Sequence, residues 1–377
     1  MEINIHFVFI VLFMFISFSI ASNEHQKQIP VIIDIDGEVS DFLAILYALK
    51  SKEFDVRGVT FDGDGWSHAA SVQNIVDIAD DIYFGKNLPV ILGADYSLYD
   101  SDRHPDTLGS PGCTYQKSIP EGAFGKRDQD FLYGINRQLR LSKRLWYDTI
   151  KGFNITKDLA NLIDATLEQT GKKPTIILTG PATNIATFLR AFPTYTAKID
   201  KVFWMGGVLN VPGNVFTVSN DSHAEYNVYL DCVAARELIT SDLDITLVPL
   251  DFTDQILLSP GVYEILSKLK SFYGKFVYKL LSIIRKVFPG GDSTFFTAYY
   301  LWDPITIAVA KDIGVAKIVS NRSLTVTCNG DRIYDGQFVK SKTLTNSKFK
   351  VAIDAIVSKP IENSPFYQDF LNVIDCD

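Results

Sequence analysis

Residues 31–50 read VIIDIDGEVSDFLAILYALK. A short apolar run, rich in β-branched residues, leads directly into acidic residues, and from Asp41 onward apolar residues recur at helical spacing. A strand, a tight turn and a helix in this order are typical of a parallel sheet. Since ligands of such sheets bind outside the carboxyl ends of the strands, we expect the acidic residues at a functional edge of the molecule.

The same alternation continues along the chain. Nearly continuous apolar strands indicate a mostly parallel central sheet with helices on both faces, which is a single large α/β domain with a Rossmann-like core over residues 22–377. Residues 95–145 are rich in Gly, Pro, Asp and Arg and predict a long loop region, whereas 257–287 predict one long helix. The other predicted strands are 56–61, 88–92, 175–178, 202–205 and 245–250, and the other predicted helices are 69–82, 159–167, 185–192 and 224–239.

The charge of the chain excludes one class of partner. The formal net charge is -8, and no Lys/Arg block is present. Proteins that bind a nucleic-acid polymer need clustered cations to neutralise phosphates. The sequence therefore predicts a small-molecule ligand.

The N-terminal segment is predicted to be a signal peptide. Residues 7–20 are uniformly apolar, and Ser19 and Ala21 suit cleavage after Ala21. The run is shorter than the roughly 20 residues that span a bilayer, so we expect secretion without a stable membrane anchor. Glu2 and the lack of Lys or Arg before the run are atypical, and an uncleaved anchor is the alternative.

If the protein is secreted, its cysteines can form disulfides and its Asn-x-Ser/Thr triplets can be glycosylated. An oxidising compartment permits up to two disulfides among four cysteines, with three connectivities open. Three Asn-x-Ser/Thr triplets predict a glycoprotein, although such triplets also arise by chance. The cysteines are Cys113, Cys232, Cys328 and Cys376, and the triplets begin at Asn154, Asn220 and Asn321.

The acids of the opening segment predict a cation site. Asp34 and Asp36 are two residues apart and share one face of the strand, and Asp41 returns toward them at the start of the helix. Clustered carboxylates raise one another's pKa unless a cation lies between them, and hard divalent ions such as Ca²⁺ prefer oxygen ligands. Capping of the helix by Ser40 or Asp41 is the structural alternative, but it explains only one of these residues.

A second enzyme class also fits the opening segment. Asp34-Ile35-Asp36-Gly37 resembles the first motif of haloacid-dehalogenase-type phosphatases, with Asp34 as nucleophile, Asp36 as acid and base, and Mg²⁺ as cofactor. Thr179 follows a predicted strand, as that family's second motif would. No later acidic motif follows a strand, and Asp41 would have no role.

Motifs further along the chain favour a different family. The opening segment, followed in order by four short motifs, resembles the inosine–uridine-preferring nucleoside hydrolase family, and most resembles its secreted plant-type subgroup. The four motifs are Gly-Pro-Ala-Thr-Asn at 180–184, Met-Gly-Gly at 205–207, Ala-Glu-Tyr-Asn at 224–227 and Trp-Asp-Pro at 302–304. Each motif is weak alone, but their collinearity is specific.

The resemblance implies a function and a site. It implies a Ca²⁺-dependent hydrolase that releases the base from ribonucleosides, with purine ribosides expected, and a homo-oligomer of two or four subunits. Asp36 would also be the general base. The implied metal ligands are Asp36, Asp41, the carbonyl of Thr179 and Asp303, and the implied sugar ligands are Asn214, Glu225 and Asn227.

Gly37 and Glu38 replace the Pro-Gly of the family pattern, and three further departures concern residues expected near the substrate. Ser40 replaces an Asp that binds ribose, Asp64 replaces an Asn near the substrate, and Trp302 replaces a His that helps protonate the leaving base. We still expect all three to contact the substrate. His223 is our candidate for the missing acid, with Tyr226 and His68 behind it, and a solvated loop histidine is the alternative for His223. The departures also keep open a catalytically weakened nucleoside-binding protein on the same fold.

Several of these residues also have purely structural interpretations. Asp303-Pro304 and Thr183-Asn184 each fit a helix N-cap, and Glu225 and Asn227 fit an ordinary first helical turn. Trp66, Trp204 and Trp302 could line a wall for the base, although Trp204 is expected in the core.

Overall fold

The computed structural model describes residues 28–62, 88–94, 97–98, 150–152, 154–215, 223–288, 290–320, 323–330, 333–343 and 346–376. Several sequence predictions lie outside these ranges. They are the signal peptide, Asp64, Trp66, His68, the helix at 69–82, nearly all of the loop at 95–145, Cys113, Asn220 and Asn321.

The described strands and helices alternate through most of the chain. The strands are β1 (Ile29–Ile35), β2 (Phe54–Phe61), β3 (Val90–Leu92), β4 (Ile150–Gly152), β5 (Thr175–Leu178), β6 (Val202–Met205), β7 (Ile245–Val248), β8 (Ala316–Ser320), β9 (Leu324–Val326), β10 (Phe338–Lys340) and β11 (Lys350–Ala355). The helices are α1 (Val39–Lys50), α2 (Ile155–Thr170), α3 (Thr183–Ala191), α4 (Tyr226–Leu230), α5 (Cys232–Thr240), α6 (Leu250–Thr253), α7 (Pro260–Lys268), α8 (Phe272–Val287), α9 (Asp292–Ala298), α10 (Trp302–Ala310) and α11 (Pro365–Ile374).

The central sheet is mostly parallel, as predicted. In the described part of the chain its strand order is β4-β3-β2-β1-β5-β6-β7-β11-β8, and only β8 runs antiparallel to its neighbour. Strands β9 and β10 form a separate antiparallel hairpin. Because β1 and β5 lie at the centre, their carboxyl ends meet away from the sheet edges.

Helices cover both faces of the sheet. Successive residues of β1 point to opposite faces, so Ile33 belongs to a core cluster with α1, α8, α10 and α11, whereas Ile32 belongs to a second cluster with α2, α3 and α5. This arrangement confirms the single α/β domain expected from the sequence. Among the described helices, none is long and apolar enough to cross a membrane.

Two predicted helices are broken by side-chain caps. Residues 224–239 form α4 and α5 instead of one helix, because the Asp231 side chain accepts a hydrogen bond from the Ala234 N–H at 3.0 Å and caps α5. The single helix predicted over 257–287 is wrong for the same reason: the Ser271 side chain accepts from the Gly274 N–H at 2.9 Å and starts α8 anew.

One disulfide links the hairpin to the helical layer. Cys232 at the start of α5 is bonded to Cys328 just after β9, and the two residues are 96 apart in sequence. Cys376 is free and exposed. Asn154, the first of the glycosylation triplets, is exposed and caps α2 through its side-chain oxygen.

Candidate active site

The carboxyl ends of four adjacent strands form the site. Asp36 follows β1, Thr179 follows β5, Gly206 and Gly207 follow β6, and α6 begins directly after β7. Parallel strands end on the same side of a sheet, so these residues lie side by side even though they are far apart in sequence.

The turn after β1 aims Asp41 back toward the strand. Gly37 has a left-handed backbone (φ 81°), which glycine adopts without a steric penalty. The N–H groups of Gly37 and Glu38 donate to Asp41 Oδ2 at 2.8 and 2.9 Å. Glu38 is the N-cap of α1 and forms a capping box with Asp41. The sequence analysis considered Ser40 or Asp41 as the N-cap of α1. The N-cap is Glu38 instead.

Three aspartates are brought together in the interior. The exposed fractions of Asp36, Asp41 and Asp303 are 1%, 0% and 4%, although Asp303 comes from α10. Burial raises the pKa of all three carboxyl groups, and the charge of Asp41 raises the pKa of Asp36 and Asp303 further. Ser40 Oγ lies within hydrogen-bonding distance of both Asp303 and Glu38, which places Ser40 in the same cluster.

The cluster fits a divalent cation. Asp36 Oδ2 is buried and has no hydrogen-bond partner among the described residues. A buried carboxylate oxygen without a partner costs free energy, and a bound cation removes this cost. The donors are oxygens only, which are the ligands of hard ions. A second group, formed by Cys232, Cys328 and Asp335, is no metal site because its two sulfur atoms are already joined as a disulfide.

Thr179 connects the cluster to the next strand. Its hydroxyl donates to Asp41 Oδ1 at 2.5 Å, and its backbone N–H donates to the Asp34 carbonyl at 2.8 Å. Its own carbonyl accepts from Asn227 Nδ2 at 2.9 Å. Thr179 therefore links the acidic cluster, through its hydroxyl, to Asn227, through its carbonyl.

The predicted sugar-binding residues adjoin the cluster. Glu225 is buried, caps α4, and accepts from the N–H groups of Asn227 and Gly207, both at 2.9 Å. Burial raises the pKa of Glu225 to about 7. Asn214 Oδ1 accepts from the Tyr226 N–H at 3.0 Å and so lies at the same helix start. The charge of Glu225 also raises the pKa of Asp303, so the two carboxyl groups are close enough to interact electrostatically.

Asn184 is a supporting residue whose role the sequence analysis missed. Its Nδ2 donates to Asp34 Oδ1 at 2.8 Å, and its Oδ1 accepts from the Ala94 N–H at 2.8 Å. The N-cap of α3 is Ala182, so the N-cap predicted at Thr183-Asn184 is wrong. Asn184 instead holds Asp34 in place beneath the cluster, together with the Thr60 hydroxyl at 2.5 Å. The Thr-Asn pair of the motif at 180–184 was the sequence feature that could have pointed to this role of Asn184.

Trp302 lines the site, and the structure gives it a partner that the sequence did not predict. The N-cap of α10 is Leu301, so Asp303 lies within the first turn and the cap interpretation of Asp303 is wrong. Trp302 is half-buried, and its indole N–H donates to Asp254 Oδ1 at 3.0 Å. Trp204 is fully buried, and its indole N–H donates to the Gly180 carbonyl at 3.1 Å, so Trp204 is a core residue as expected.

His223 lies apart from these contacts. It is exposed, and its ring stacks on that of Tyr334 with centroids 5.5 Å apart. No hydrogen bond within the described ranges joins it to the acidic cluster. The structure thus gathers nine of the predicted site residues, which are Asp36, Ser40, Asp41, Thr179, Asn214, Glu225, Asn227, Trp302 and Asp303.

Comparison with known proteins places this site in a family. The sequence profile described as inosine-uridine preferring nucleoside hydrolase matches residues 31–360. Nucleoside hydrolase 3 from Arabidopsis thaliana is 33% identical over 59% of this chain, and the pyrimidine-specific ribonucleoside hydrolase RihA from Klebsiella pneumoniae is 25% identical over 74% of it. The chain spans 27% of the Arabidopsis protein and 78% of the Klebsiella protein, and about half of another Arabidopsis relative.

A solved structure supports the fold. An inosine-uridine preferring nucleoside hydrolase from Bacillus anthracis has a TM-score of 0.70 to this chain, with 21% sequence identity, and the alignment covers 92% of this chain and 99% of that one. The central sheet and its covering helices are therefore those of a known architecture.

Proposed function

This chain belongs to the inosine-uridine preferring nucleoside hydrolase family, and on that premise we propose that it is a Ca²⁺-dependent nucleoside N-ribohydrolase. It would cleave the N-glycosidic bond of ribonucleosides to give ribose and the free base. One observation supports this most directly. Three buried aspartates, one of which has an oxygen without a hydrogen-bond partner among the described residues, lie beside Glu225, the N-cap of α4, and an Asn that could hold a sugar.

Four groups would hold the cation. They are the carboxylates of Asp36, Asp41 and Asp303 and the carbonyl oxygen of Thr179, which are all hard oxygen donors. Asp36, Asp41 and Asp303 have raised pKa values in the metal-free protein, so binding a cation would release protons from them. When bound, Ca²⁺ would position the attacking water and the ribose hydroxyls and lower the pKa of that water.

The side chains divide the remaining work. Asp36 would accept the proton of the attacking water through the carboxylate oxygen that does not bind the cation. Glu225, Asn227 and Asn214 would bind the sugar hydroxyls and fix the ring. Breaking the bond between C1′ and the base nitrogen develops positive charge on the sugar, which the nearby carboxylates stabilise.

The substrate and the location are part of the proposal. We propose purine ribosides because the half-buried indole of Trp302 offers a flat apolar surface beside the site. The relative from Klebsiella is named pyrimidine-specific, so pyrimidine ribosides belong in any test. The N-terminal apolar run and the Cys232–Cys328 disulfide support secretion, and a dimer or tetramer remains our expectation for the assembly.

A panel of nucleosides tests the proposed activity. Purified protein is incubated with inosine, adenosine, guanosine, uridine and cytidine in the presence of Ca²⁺, and the free base and reducing sugar are measured. We expect equimolar base and ribose, with the purine ribosides cleaved fastest. Absence of release from every riboside would contradict the hydrolase.

The same assay separates the other two hypotheses. Measurable nucleoside binding without base release would favour a nucleoside-binding protein on this fold. Release of phosphate from phosphomonoesters with Mg²⁺, and none of base from ribosides, would favour the phosphatase.

Secretion has its own test. The full chain is expressed in a secreting host, and the protein in the medium is sequenced from its N-terminus. We expect the sequence to begin at Ser22. Recovery of the protein in the membrane fraction with its first residues intact would instead indicate an anchor.

A further inference from the structure

Cleavage of a ribosyl–base bond leaves an electron pair on the base nitrogen. Protonation of the base as the bond breaks makes it a better leaving group, and general acids of this kind typically contribute about 10²–10⁴-fold in rate. Trp302 cannot supply this proton, because an indole N–H is a hydrogen-bond donor but not an acid near neutral pH. A carboxyl or imidazole group beside the site must therefore donate the proton.

Asp254 lies at the same edge of the sheet as the acidic cluster. It follows α6, the short helix that starts directly after β7. This helix is fixed by Asp251, whose carboxylate accepts from the N–H groups of Leu209 and Asn210, both at 2.7 Å. The fixed helix holds the side chain of Asp254 next to Trp302.

The carboxyl group of Asp254 has one oxygen engaged and one oxygen open. Oδ1 accepts from the Trp302 indole N–H at 3.0 Å and from the Thr253 hydroxyl at 3.4 Å. Oδ2 forms no hydrogen bond with any described residue and is not among the buried atoms that lack a partner, so it faces solvent. A carboxyl group oriented through one oxygen and open at the other can transfer a proton to a ligand.

Trp302 connects Asp254 to the sugar-binding residues. The indole packs against a small apolar cluster that contains Met205. Asn227 Nδ2 donates to the Met205 carbonyl at 3.1 Å and to the Thr179 carbonyl at 2.9 Å. A continuous wall therefore runs from the metal ligands through Asn227, Met205 and Trp302 to Asp254, and a base attached to a bound ribose would lie along it.

We propose that Asp254 is the acid that protonates the leaving base, a role that rests on the hydrolase activity proposed above. In the step, the oxygen of water bonds to C1′ and its proton passes to Asp36. The electron pair of the C1′–N bond stays with the base, which takes the proton of the Asp254 carboxyl group. Asp36 then releases its proton to solvent and Asp254 takes one up, so that one nucleoside and one water give ribose and neutral base.

The surroundings of Asp254 keep a proton available. Burial, with a smaller contribution from the charge of Asp251, raises the pKa of this carboxyl group to about 6 against the hydrogen bonds from Trp302 and Thr253, which lower it. Asp254 in turn raises the pKa of Glu225 and of Tyr300, so the titratable groups that face it are anionic or neutral. Release of this proton by rising pH should therefore lower the rate.

His223 is the competing candidate from the sequence. Its exposed ring stacks on Tyr334, and it makes no described hydrogen bond to the wall of Trp302. Among the described residues, none donates to or accepts from this ring in a way that would orient it toward the base. The geometry therefore favours Asp254 over His223.

Two substrates that differ in their leaving groups test the assignment. Inosine needs protonation of its base, whereas 4-nitrophenyl riboside releases a stable anion that needs none. For Asp254→Asn we expect kcat on inosine to fall about 100-fold or more and kcat on 4-nitrophenyl riboside to stay within about threefold of wild type. The fall of activity on inosine above pH 6 should disappear in Asp254→Asn, and Asp254→Glu should recover part of the loss.

Asp200→Asn, a change of the same kind at an exposed site, is the control and should match wild type.

The possible failures point to different conclusions. Equal losses of Asp254→Asn on both substrates, or no loss on inosine, would overturn the role of Asp254 as an acid. A selective loss on inosine in His223→Asn, with Asp254→Asn unaffected, would assign the proton to His223. If the wild-type protein hydrolyses neither substrate, the proposed function itself is contradicted.

Discussion

Gly180 lies directly against the backbone of Asp36. A Cβ atom at position 180 would be 2.9 Å from Asp36 Cβ and 3.0 Å from Asp36 N, distances that real Cβ atoms show rarely or never. The first glycine of the Gly-Pro-Ala-Thr-Asn motif is therefore needed for close approach between β1 and the turn after β5. Any side chain there must move the aspartate that we propose as metal ligand and base.

This contact gives a prediction at the residue scale. Gly180→Ala should lower the free energy of unfolding by about 1–3 kcal/mol and also weaken Ca²⁺ binding at least tenfold, because Asp36 is displaced. Calorimetric titration with Ca²⁺ and urea unfolding measure the two effects. Gly58→Ala is the matched control: its Cβ would meet Leu162 Cδ2 at 2.7 Å and the Pro89 carbonyl at 3.1 Å, neither of which belongs to the acidic cluster, so it should cost stability alone. Equal Ca²⁺ affinity in both variants would contradict the role given to Gly180.

The role of a single residue could be predicted where the residue belongs to a motif. It could not be predicted where the role depends only on tertiary contacts. Asp36, Asp41 and Asp303 could be assigned because their motifs are collinear with a known family. Asp254 could not, because its role depends on Trp302, a partner that only the folded chain brings near. The structural interpretation of Asp303 as a cap failed because α10 starts two residues earlier than the local sequence suggests.

At the level of elements, strands were predicted more faithfully than helices. The buried strands β5 and β6 coincide with their predicted bounds, because a short apolar run bounded by polar residues leaves little freedom. Helical periodicity continued across residues 231 and 271, where a side chain caps a new helix. Periodicity is insensitive to such a break, since the apolar spacing on either side is similar.

The disulfide allows a test at the level of elements. The Cys232–Cys328 bond ties the β9–β10 hairpin to α5, and Phe338 of this hairpin lies against Gly207 in the site. Replacement of both cysteines by serine should lower the free energy of unfolding by about 2–5 kcal/mol, because a cross-link of this span restricts the unfolded chain. Denaturant unfolding measures the change. Cys376→Ser, at an exposed free thiol, should leave stability unchanged, and a similar loss in that control would refute the explanation.

Over the whole molecule, the raised pKa values predict how stability depends on pH. In the metal-free fold, Glu225 and Glu38 have pKa values of about 7 against an ordinary 4.5, and Asp36 and Asp303 are also raised. The folded state thus binds more protons than the unfolded state between about pH 4.5 and 7. This contribution to stability is complete below the ordinary pKa and is lost as pH rises through the folded pKa.

We therefore expect metal-free protein to be more resistant to urea at pH 5 than at pH 7.5. Ca²⁺ should stabilise the protein more at pH 7.5 than at pH 5, since at pH 5 it must displace protons from the same carboxylates. Exposed ion pairs such as Lys268–Glu264 have the opposite pH dependence but contribute little. Greater stability of the metal-free protein at pH 7.5 would show that folding does not raise the pKa of these carboxyl groups.

The central claim is that the buried aspartates hold the cation that makes riboside hydrolysis possible. The most direct measurement is base release from inosine by metal-free protein titrated with Ca²⁺, compared between wild type and Asp36→Ala. We predict no turnover without metal, recovery that saturates at one Ca²⁺ per chain, and a loss of several orders of magnitude in kcat for Asp36→Ala at saturating Ca²⁺. Full activity in metal-free protein, or turnover by Asp36→Ala close to wild type, would contradict the account.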